Sequence, residues 1–537
     1  MTARALRPLI GLIALLALAE ALLWSGALTS VFPSAFPGPS SDPTPGTEAR
    51  DATAASSLLA QAAGARAPNA LHPAGGGPNQ GSFLMLADIH FDPFADPAIV
   101  PRLAAASVDE WTAIFQSSLR SPSSSSPPGA EASPGPSSPV SVAALVAGTR
   151  DSNYALLASA LAAARSSGTS YDYVLVAGDY LTHDFRIKYR AQKLADQDFP
   201  DFAIKTMVFV SRTIQSAFPK APVFGVVGNG DSACGDYAEP PHSALFTTLA
   251  AEWNVVASRP DATRDLADGG YYAVPHPTVR NQELIVLNST FWSSLYHAGC
   301  SGAADASGDA PGDIEMAWLK QRLQQAQLAG KTAVLAMHIP PSFDAFNSAT
   351  RGDCAQPTAL WKTKYTADFL DIVDKYQAIL RGAYAAHLHR DDFRVFTGGA
   401  GPFLPLQVLA PISPIYLNDP AFEVGRYDRN TGALADYSVI YLKNFSPAGA
   451  AEAPDWTREY TFGSAYGLPA YSALNLASLA TAIRTKPAVR NQFLDFYAAH
   501  NTISSIVASK DWPYYACAQT QFRQEDYARC ACALASK

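Results

Sequence analysis

The sequence predicts a layered α/β fold in which buried strands alternate with helices. Five short apolar runs have the length of strands, at residues 83–87, 173–177, 222–227, 284–287 and 332–337. Continuous apolar runs of this length are typical of strands that are buried on both faces. Each run ends abruptly at polar residues, and in layered α/β folds such residues meet at one edge of a sheet.

Helical patterns separate these strands. Residues 153–165 are rich in Ala and Leu, and residues 202–218 place apolar side chains near helical spacing. A third helix is predicted over residues 314–328, with Asp313 near its start, where a negative charge interacts favourably with the helix dipole. The repetition of strand, helix and strand therefore extends through most of the chain from residue 81.

The C-terminal part follows a different pattern. Helical runs are predicted at residues 474–483 and 489–499, followed by a cysteine-bearing tail that starts at Trp512. We therefore divide the folded chain into a catalytic domain over residues 81–465 and a helical, cysteine-containing subdomain over residues 466–537.

The N-terminus has the pattern of an export signal. Arg4 and Arg7 precede an apolar run at residues 9–23, and small residues follow that run. Residues 1–28 are assigned to a signal peptide, with an uncleaved signal anchor as the alternative. Glu20 interrupts the run, which argues against a stable membrane span.

Two segments are predicted to be disordered. Residues 29–80 are rich in Pro, Ala, Gly and Ser, which is the composition of a linker. Residues 121–139 are a low-complexity insertion within the catalytic domain.

Composition and charge exclude one class of function. The chain has 537 residues, 48% of them hydrophobic, so it can bury a substantial core. Its formal net charge is -8. Because nucleic-acid binding needs a basic surface that displaces counterions, we expect no nucleic-acid-binding surface. A small anionic substrate remains compatible with this charge, because bound metal ions would reverse the local field.

The six cysteines indicate an oxidising compartment, either secreted or periplasmic and lumenal. Their spacing does not match a zinc ribbon, and six cysteines allow 15 complete pairings. Among these we favour Cys517 with Cys530, and Cys234 with Cys300.

Five short motifs carry side chains that bind metal ions, and four of them follow apolar runs directly. In chain order the motifs are DIH at 88–90, GDYLTHD at 178–184, GNGD at 228–231, MH at 337–338 and AHLH at 386–389. Imidazole together with carboxylate suits Zn, Mn or Fe better than Ca or Mg. The sequence therefore predicts a site for divalent transition metals, with Zn preferred over Mn and Fe.

The number of these side chains fits two ions. Two metals about 3.5–4 Å apart need a bridging carboxylate and several terminal ligands. Asp179 is the predicted bridge, because the Gly before it lets the backbone turn closely. The remaining ligands divide into Asp88, His90 and His389 at one ion, and Asn229, His338 and His387 at the other.

The order DxH, GDxxxH, GNxD, H and HxH resembles the calcineurin-like metallophosphoesterase superfamily. Within it the chain is similar to the acid sphingomyelinase-like phosphodiesterases and to related secreted polyphosphatases. Supporting motifs are HLHRDDFR at 387–394, APISPIYLNDPAF at 410–422 and WPYYACAQ at 512–519. The resemblance covers roughly residues 82–532, and the ligands of the family match all seven residues assigned above. It implies a four-layer α/β/β/α core, a dinuclear zinc-type centre and attack by a hydroxide that bridges the metals.

Two positions depart from the family pattern. The family has a His after the Asn of the GN motif, near the leaving group, and this chain has Gly230 there. His183 matches a second family His and is our candidate general acid, beside Asn229 as a catalytic ligand. Ala386 replaces a family Gly, a change that we expect to be harmless.

Five other residues are candidates for supporting roles. The alternative is a packing or solvated loop position for four of them, and glycosylation for Asn288, which begins the sequon NST at 288–290. The five are Asp231 and Asp391 as acceptors that orient a ligand imidazole, Asn288 as an active-site or structural amide, and Tyr416 and Asn418 as pocket residues.

The sequence thus predicts an exported metal-dependent hydrolase of phosphoric esters. Its substrate would be a small phosphate ester or a phospholipid, hydrolysed by a sphingomyelinase-like phosphodiesterase with transient contact to a membrane surface. One alternative is a polyphosphatase or nucleotide pyrophosphatase, which Gly230 favours because phosphate leaves without strong help from an acid. The other is a metal-containing binding protein with weak catalysis, although a pure binder has no need for seven ligands.

Overall fold

The structure is a computed structural model and describes residues 79–120, 140–167, 169–300, 309–500 and 510–536. The predicted signal segment 1–28, the insertion 121–139 and all but the last two residues of the linker 29–80 lie outside the described residues.

The strands are named in chain order. They are β1 Gln80–Leu86, β2 Tyr173–Val176, β3 Val223–Gly225, β4 Tyr272–Pro275, β5 Gln282–Val286, β6 Thr332–Ala336, β7 Phe343–Asp344, β8 Thr358–Ala359, β9 Leu380–Ala385, β10 Asp392–Gly398, β11 Gly401–Val408, β12 Ala421–Asp428, β13 Leu434–Leu442 and β14 Trp456–Thr461.

These strands form two large sheets and one short β-ribbon. The first sheet has the order β14-β13-β12-β1-β2-β3, and the second has the order β10-β11-β9-β6-β5-β4. Strands β1, β2 and β3 are mutually parallel, as are β5, β6, β9 and β11. The remaining pairs are antiparallel, and β7 with β8 forms the ribbon. The parallel part of each sheet therefore presents its carboxyl ends along one edge.

The helices are also named in chain order. They are α1 Val100–Ala105, α2 Val108–Arg120, α3 Val142–Leu145, α4 Tyr154–Ser166, α5 Phe185–Ala191, α6 Phe199–Ala217, α7 Ala244–Glu252, α8 Asn254–Ala257, α9 Pro260–Gly269, α10 Ala310–Leu328, α11 Ala345–Arg351, α12 Thr363–Lys375, α13 Phe462–Tyr466, α14 Ala473–Thr485, α15 Pro487–Phe496, α16 Trp512–Ala518 and α17 Gln524–Ala535.

The two large sheets pack face to face. The ring of Phe83 in β1 lies 5.5 Å from the ring of Tyr384 in β9. The hydroxyl of Tyr272 in β4 donates to the carbonyl oxygen of Gly225 in β3 at 2.8 Å. Aromatic side chains thus fill the space between the sheets.

Helices cover the outer faces of both sheets. Helix α4 lies against the first sheet, where Ser159 accepts a hydrogen bond from the indole N–H of Trp456 in β14. Helices α10, α12 and α14 contact β6, β10 and β11 of the second sheet. The predicted four-layer α/β/β/α arrangement is confirmed, together with helices in the C-terminal part. The boundaries at residues 81, 465 and 466 stay predictions.

The five predicted strands and five predicted helices are all present, with shifted ends. The strands past residue 379 were missed, because their sequences mix polar and apolar residues. In β10, for example, the buried side chains of Asp392 and Arg394 form an ion pair inside the strand.

Three disulfides are present. Cys234–Cys300 and Cys517–Cys530 confirm the two favoured pairings, and Cys354–Cys532 is the third. Two of the three fasten the C-terminal helices, since Cys517 lies in α16 and both Cys530 and Cys532 lie in α17.

Among the described helices, none combines the length and the apolar character needed to cross a lipid bilayer.

Candidate metal centre

The seven predicted ligands all follow strands whose carboxyl ends meet at one edge of the sheets. In chain order, Asp88 and His90 follow β1, Asp179 follows β2, Asn229 follows β3, His338 follows β6, and His387 and His389 follow β9. These five strands belong to the parallel parts of both sheets. The fold therefore brings together side chains that are up to 301 positions apart in the chain.

Five of these seven residues have a left-handed backbone. The φ angles are 46° at Asp88, 46° at His90, 55° at Asp179, 71° at His387 and 51° at His389. A positive φ is uncommon for residues other than Gly and carries a conformational cost, so it persists only where the surroundings require it. Strained residues of this kind cluster at functional sites.

Two glycines allow the close approach of the strands. A Cβ on Gly178 would lie 2.6 Å from Nδ1 of His338, and Gly178 itself has a φ of +96°. A Cβ on Gly228 would lie 2.2 Å from Oδ1 of Asp179. The space around Asp179 is thus available only because both residues lack a side chain.

One group of ligand atoms surrounds His90. Its Nε2 lies 3.0 Å from Nε2 of His389 and 3.3 Å from Oδ2 of Asp179. Nε2 of His389 lies 3.7 Å from Oδ1 of Asp88. Asp88, His90, Asp179 and His389 therefore face one small volume.

A second group surrounds His338. Its Nε2 lies 3.1 Å from Oδ2 of Asp179 and 3.2 Å from Oδ1 of Asn229. Ligand atoms of Asp179, His338 and His387 lie within 4.8 Å of one another. Oδ2 of Asp179 is thus shared between the two groups, which is the position predicted for a bridging carboxylate.

The other oxygen of Asp179 fixes this orientation. Oδ1 accepts a hydrogen bond from the backbone N–H of Gly230 at 2.9 Å. The backbone after Asn229 therefore turns Oδ2 toward His90 and His338.

The electrostatics of the site favour bound cations. Burial lowers the pKa of His90 to about 4 and the pKa of His387 to about 3, so both imidazoles are neutral and have a free lone pair. At His338 burial also acts to lower the pKa, but the charge of Asp179 and its hydrogen bond outweigh it and raise the pKa to about 10. The position beside Asp179 therefore stabilises positive charge.

Two buried atoms at the site have no hydrogen-bond partner. They are Oδ2 of Asp88 and Nδ1 of His389. An unsatisfied buried polar atom is costly, and the Nε2 atoms of His90 and His389 face each other at 3.0 Å. Imidazoles, carboxylates and an amide oxygen surround two small volumes that share the Asp179 carboxylate. This set of ligand atoms fits two divalent transition-metal ions.

His183 lies against the first group of ligands. Its ring is stacked on the ring of His90 at 3.8 Å, and one nitrogen of each of His90, His183 and His389 lies within 4.8 Å of the other two. Nδ1 of His183 is 3.0 Å from Oδ1 of Asp151, so Nε2 is the nitrogen left for the site.

Asp151 is a site residue that the sequence patterns did not single out. It is buried and also accepts hydrogen bonds from the hydroxyls of Thr182 and Ser413 and from the backbone N–H of His183. Burial lowers the pKa of His183, but the bond to Asp151 and its charge outweigh that effect, so that the net pKa is raised. Asp151 lies in a loop with neither periodicity nor a motif, which explains why it was missed.

Asp231 and Asp391 do not contact the ligand imidazoles. Asp231 accepts from the backbone N–H groups of Tyr180, Leu181 and Gly228, and thereby joins the loops after β2 and β3. The predicted role for Asp231 as an imidazole acceptor is not what the geometry shows, because both of its oxygens are occupied by backbone groups.

Asp391 is held in the interior instead. It accepts from the hydroxyls of Tyr437 and Tyr460 and from the amide of Gln407. Its side chain points away from His389, two positions earlier, toward this tyrosine cluster.

Asn288 is a structural amide. Its side chain donates to Glu239 and to the carbonyl oxygen of Gly269, and its backbone N–H donates to Glu315. Asn288 is fully buried, so the sequon that contains it is not accessible to glycosylation in the folded chain.

Of the two predicted pocket residues, Tyr416 lies at the site and Asn418 lies behind it. The Tyr416 ring is 4.7 Å from the ring of His389 and 5.3 Å from that of His183, in edge-on geometry, and the side chain is exposed. Asn418 is buried and donates to the carbonyl oxygen of Ser413.

The chain was compared with known proteins. No protein-family model matches it. It is 24% identical over 367 residues to the acid sphingomyelinase-like phosphodiesterase 3b of Mus musculus, covering 66% of this chain and 74% of that protein. It is 25% identical over 435 residues to the cyclic GMP-AMP phosphodiesterase SMPDL3A of Bos taurus, covering 80% of this chain and 84% of that protein.

Two further matches extend this set. A sphingomyelinase phosphodiesterase D of Dictyostelium discoideum is 25% identical over 268 residues, covering 48% of this chain and 56% of that protein. Among solved structures, a dimetal phosphatase from Danio rerio is similar with a TM-score of 0.38 and 13% identity, covering 73% of this chain and 99% of that one.

The relatives and the cluster of His and Asp side chains together show a metal-dependent hydrolase of phosphoric esters that is similar to the calcineurin-like metallophosphoesterases. Within that class, the predicted resemblance to the acid sphingomyelinase-like branch is confirmed by the relatives.

Proposed function

We propose that this chain is an exported phosphodiesterase that works with two zinc ions. The single observation that carries the proposal is the position of Asp179, whose Oδ2 lies 3.3 Å from Nε2 of His90 and 3.1 Å from Nε2 of His338. One carboxylate oxygen between two imidazole groups is the arrangement that a metal pair requires.

The seven proposed ligands divide between two metal ions. Asp88, His90 and His389 would hold one ion, Asn229, His338 and His387 the other, and Asp179 both. When bound, the ions supply an activated water and neutralise negative charge that develops on the phosphoryl oxygens. Zinc is proposed because imidazoles are the commonest group among the ligands.

His183 is proposed as the general acid. Its Nδ1 faces Asp151, so the protonated imidazole has its Nε2–H free to donate a proton to the leaving oxygen as the bond to phosphorus breaks. The Asp151 carboxylate stabilises the imidazolium before the transfer and holds the ring in one orientation. Asp151 itself stays ionised, because hydrogen bonding and the charge of His183 overcome burial and lower its pKa.

The proposed substrates are diesters with a lipid or nucleotide-like part. The three relatives described above are all named as phosphodiesterases, which favours a diester over polyphosphate or a pure binding role. Tyr416 contributes an exposed aromatic surface beside His183, against which an apolar or planar group of the substrate can pack.

Export is proposed from two observations. The described cysteines are all paired in disulfides, which persist in oxidising compartments. The predicted signal segment at residues 1–28 supports the same location, and whether it is cleaved decides between a secreted and an anchored protein.

A substrate panel tests the proposed function. The purified full chain, reconstituted with zinc, would be assayed on bis-p-nitrophenyl phosphate, p-nitrophenyl phosphate, sphingomyelin and polyphosphate. We expect the diesters to be hydrolysed with the highest kcat/KM. A preference for polyphosphate by tenfold or more would contradict the diesterase proposal and support the polyphosphatase alternative.

A further inference from the structure

The loop that follows Asn229 turns back and contacts this ligand twice. The backbone N–H of Tyr237 donates to the carbonyl oxygen of Asn229 at 2.9 Å. The side-chain Nδ2 of Asn229 donates to Oδ1 of Asp236 at 2.7 Å. Asp236 lies at the exposed rim of the site and outside all five sequence motifs.

An Asn side chain binds a metal only through its oxygen. Its oxygen and nitrogen are nearly isosteric, so two orientations that differ by a flip fill the same space. A carboxylate accepts hydrogen bonds and cannot donate them, so Asp236 selects the orientation in which Nδ2 faces it. In that orientation Oδ1 of Asn229 faces Nε2 of His338 at 3.2 Å.

The position of Asp236 is itself fixed by its loop. The disulfide Cys234–Cys300 ties the start of the loop to a neighbouring segment, and the backbone N–H of His297 donates to the carbonyl oxygen of Tyr237. The guanidinium of Arg186 also donates to the carbonyl oxygen of Cys234 at 3.0 Å. The carboxylate therefore contacts Asn229 from a loop held on both sides.

We infer that Asp236 is a positioning residue for the second metal ion, acting through the orientation of the Asn229 amide. The inference rests on the proposed function of the centre, and adds to it a residue that touches no predicted substrate or metal position. Groups that orient metal ligands typically change metal affinity by about 10–100-fold when they are removed.

Metal binding measured without substrate tests this role. The full chain would be stripped with chelator and titrated with zinc by calorimetry, as wild type, Asp236→Ala, Asp236→Asn and Asp184→Asn. We expect Asp236→Ala to weaken one of the two binding events by about 10–100-fold. Asp236→Asn offers Nδ2 of Asn229 an acceptor oxygen but can also donate to the flipped amide, so its affinity should lie between those of wild type and Asp236→Ala.

Asp184→Asn is the matched control. It removes another exposed acid near the site. Both Asp184 and Asp236 lie close enough to Tyr416 that their negative charges, after burial, contribute to raising the pKa of its hydroxyl. If loss of negative charge were the cause, Asp184→Asn would weaken binding as much as Asp236→Asn, which would overturn the inference. Equal melting temperatures for the metal-free variants exclude a general loss of structure.

The remaining outcomes separate this inference from the proposed function. Two wild-type binding events with unchanged affinities in Asp236→Ala would overturn only the role of Asp236. Fewer than two events in the wild type would contradict the dinuclear centre itself. Unchanged metal affinity in Asp236→Ala, with kcat lost only for substrates whose leaving group needs a proton, would show instead that Asp236 transfers a proton.

Discussion

At the residue scale, the proposed mechanism gives His183 and Asp151 separate roles, namely proton transfer by His183 and positioning of its ring by Asp151. The imidazole lies on His90 at 3.8 Å between ring centroids, and the carboxylate behind it accepts from five hydrogen-bond donors. An acid held in this way matters most when the leaving group is a poor one, because a stable leaving group departs without a proton.

Asp151→Asn should therefore impair catalysis in a way that depends on the leaving group. We expect kcat for an alkyl diester to fall by about 10²–10⁴-fold, the range that a general acid contributes. For bis-p-nitrophenyl phosphate the fall should be much smaller, because p-nitrophenolate is a stable anion. Steady-state kinetics on both substrates measure the ratio, and an equal fall on both would contradict the role of Asp151.

Gly230 gives a second prediction at this scale. A Cβ at this position would lie 3.3 Å from Oδ1 of Asp179, so a side chain requires Asp179 to move by a few tenths of an ångström. Gly230→His places an imidazole where the family has one. We expect kcat on alkyl diesters to rise, by up to about 10²-fold, the lower end of the range for a general acid. A lower rate on alkyl diesters, with two ions still bound, would show that the space at Gly230 serves the substrate.

At the element scale, the site lies at the ends of five parallel strands. The turns that follow these strands contain the residues with strained backbone conformations. Gly178 illustrates this, because it combines a φ of +96° with a contact of 2.6 Å from its missing Cβ to His338. The turn after β2 is thus compatible only with Gly.

Gly178→Ala should therefore destabilise the fold and disturb metal binding. The expected loss is about 1–3 kcal/mol in the free energy of unfolding, the usual cost of a strained backbone position. Gly382→Ala is the matched control in β9, where no atom lies within 4 Å of the missing Cβ. Urea unfolding of the two variants measures the difference, and equal stabilities would contradict the steric argument.

The same strands show what the sequence could predict. Strands β1, β2, β3, β5 and β6 contain apolar runs that end in polar residues, so the positions of these strands were predicted correctly. Strands β10 to β14 were missed because they bury polar side chains such as Arg394, Gln407 and Glu423, which conceal the strand pattern.

The same distinction applies to the residues of the site: those in sequence motifs could be predicted, and those in loops could not. The ligands lie in short motifs with fixed spacing, whereas Asp151 and Asp236 reach their partners only through tertiary contacts. Asp236 bonds Asn229 seven positions away across a loop, and Asp151 bonds His183 from 32 positions away. Loop residues of this kind leave no periodic signal in a single sequence.

At the scale of the whole molecule, several deeply buried carboxyl groups should make the folded chain more stable at acid pH. Burial raises the pKa of each of Glu239, Glu315, Glu423 and Glu459 above its ordinary value. Asp419 is a further example, because burial raises its pKa from 3.8 to about 8.

Stability should therefore decrease as the pH rises. A carboxyl group whose pKa is raised on folding favours the folded chain while it is protonated. Its contribution is complete below the unfolded pKa near 4 and is lost as the pH rises through about 8. We expect the melting temperature of the metal-free chain to fall between pH 4 and pH 8.

Asp419→Asn should reduce this fall, because the amide has no charge to bury. Asp371→Asn is the matched control, since 79% of that carboxylate side chain is exposed. Thermal unfolding at several pH values measures the slopes. A slope that is unchanged by Asp419→Asn would contradict the contribution assigned to this group.

The most direct test of the dinuclear centre is a titration of activity with metal. The chelator-stripped full chain would receive increasing equivalents of zinc, and the rate of bis-p-nitrophenyl phosphate hydrolysis would be followed. His338→Ala removes a ligand, and His242→Ala removes an exposed imidazole, 73% of which is accessible to solvent. We predict a plateau at two equivalents for the wild type and for His242→Ala, and a loss of activity in His338→Ala. A plateau at one equivalent, or full activity in chelator, would contradict a function based on two metal ions.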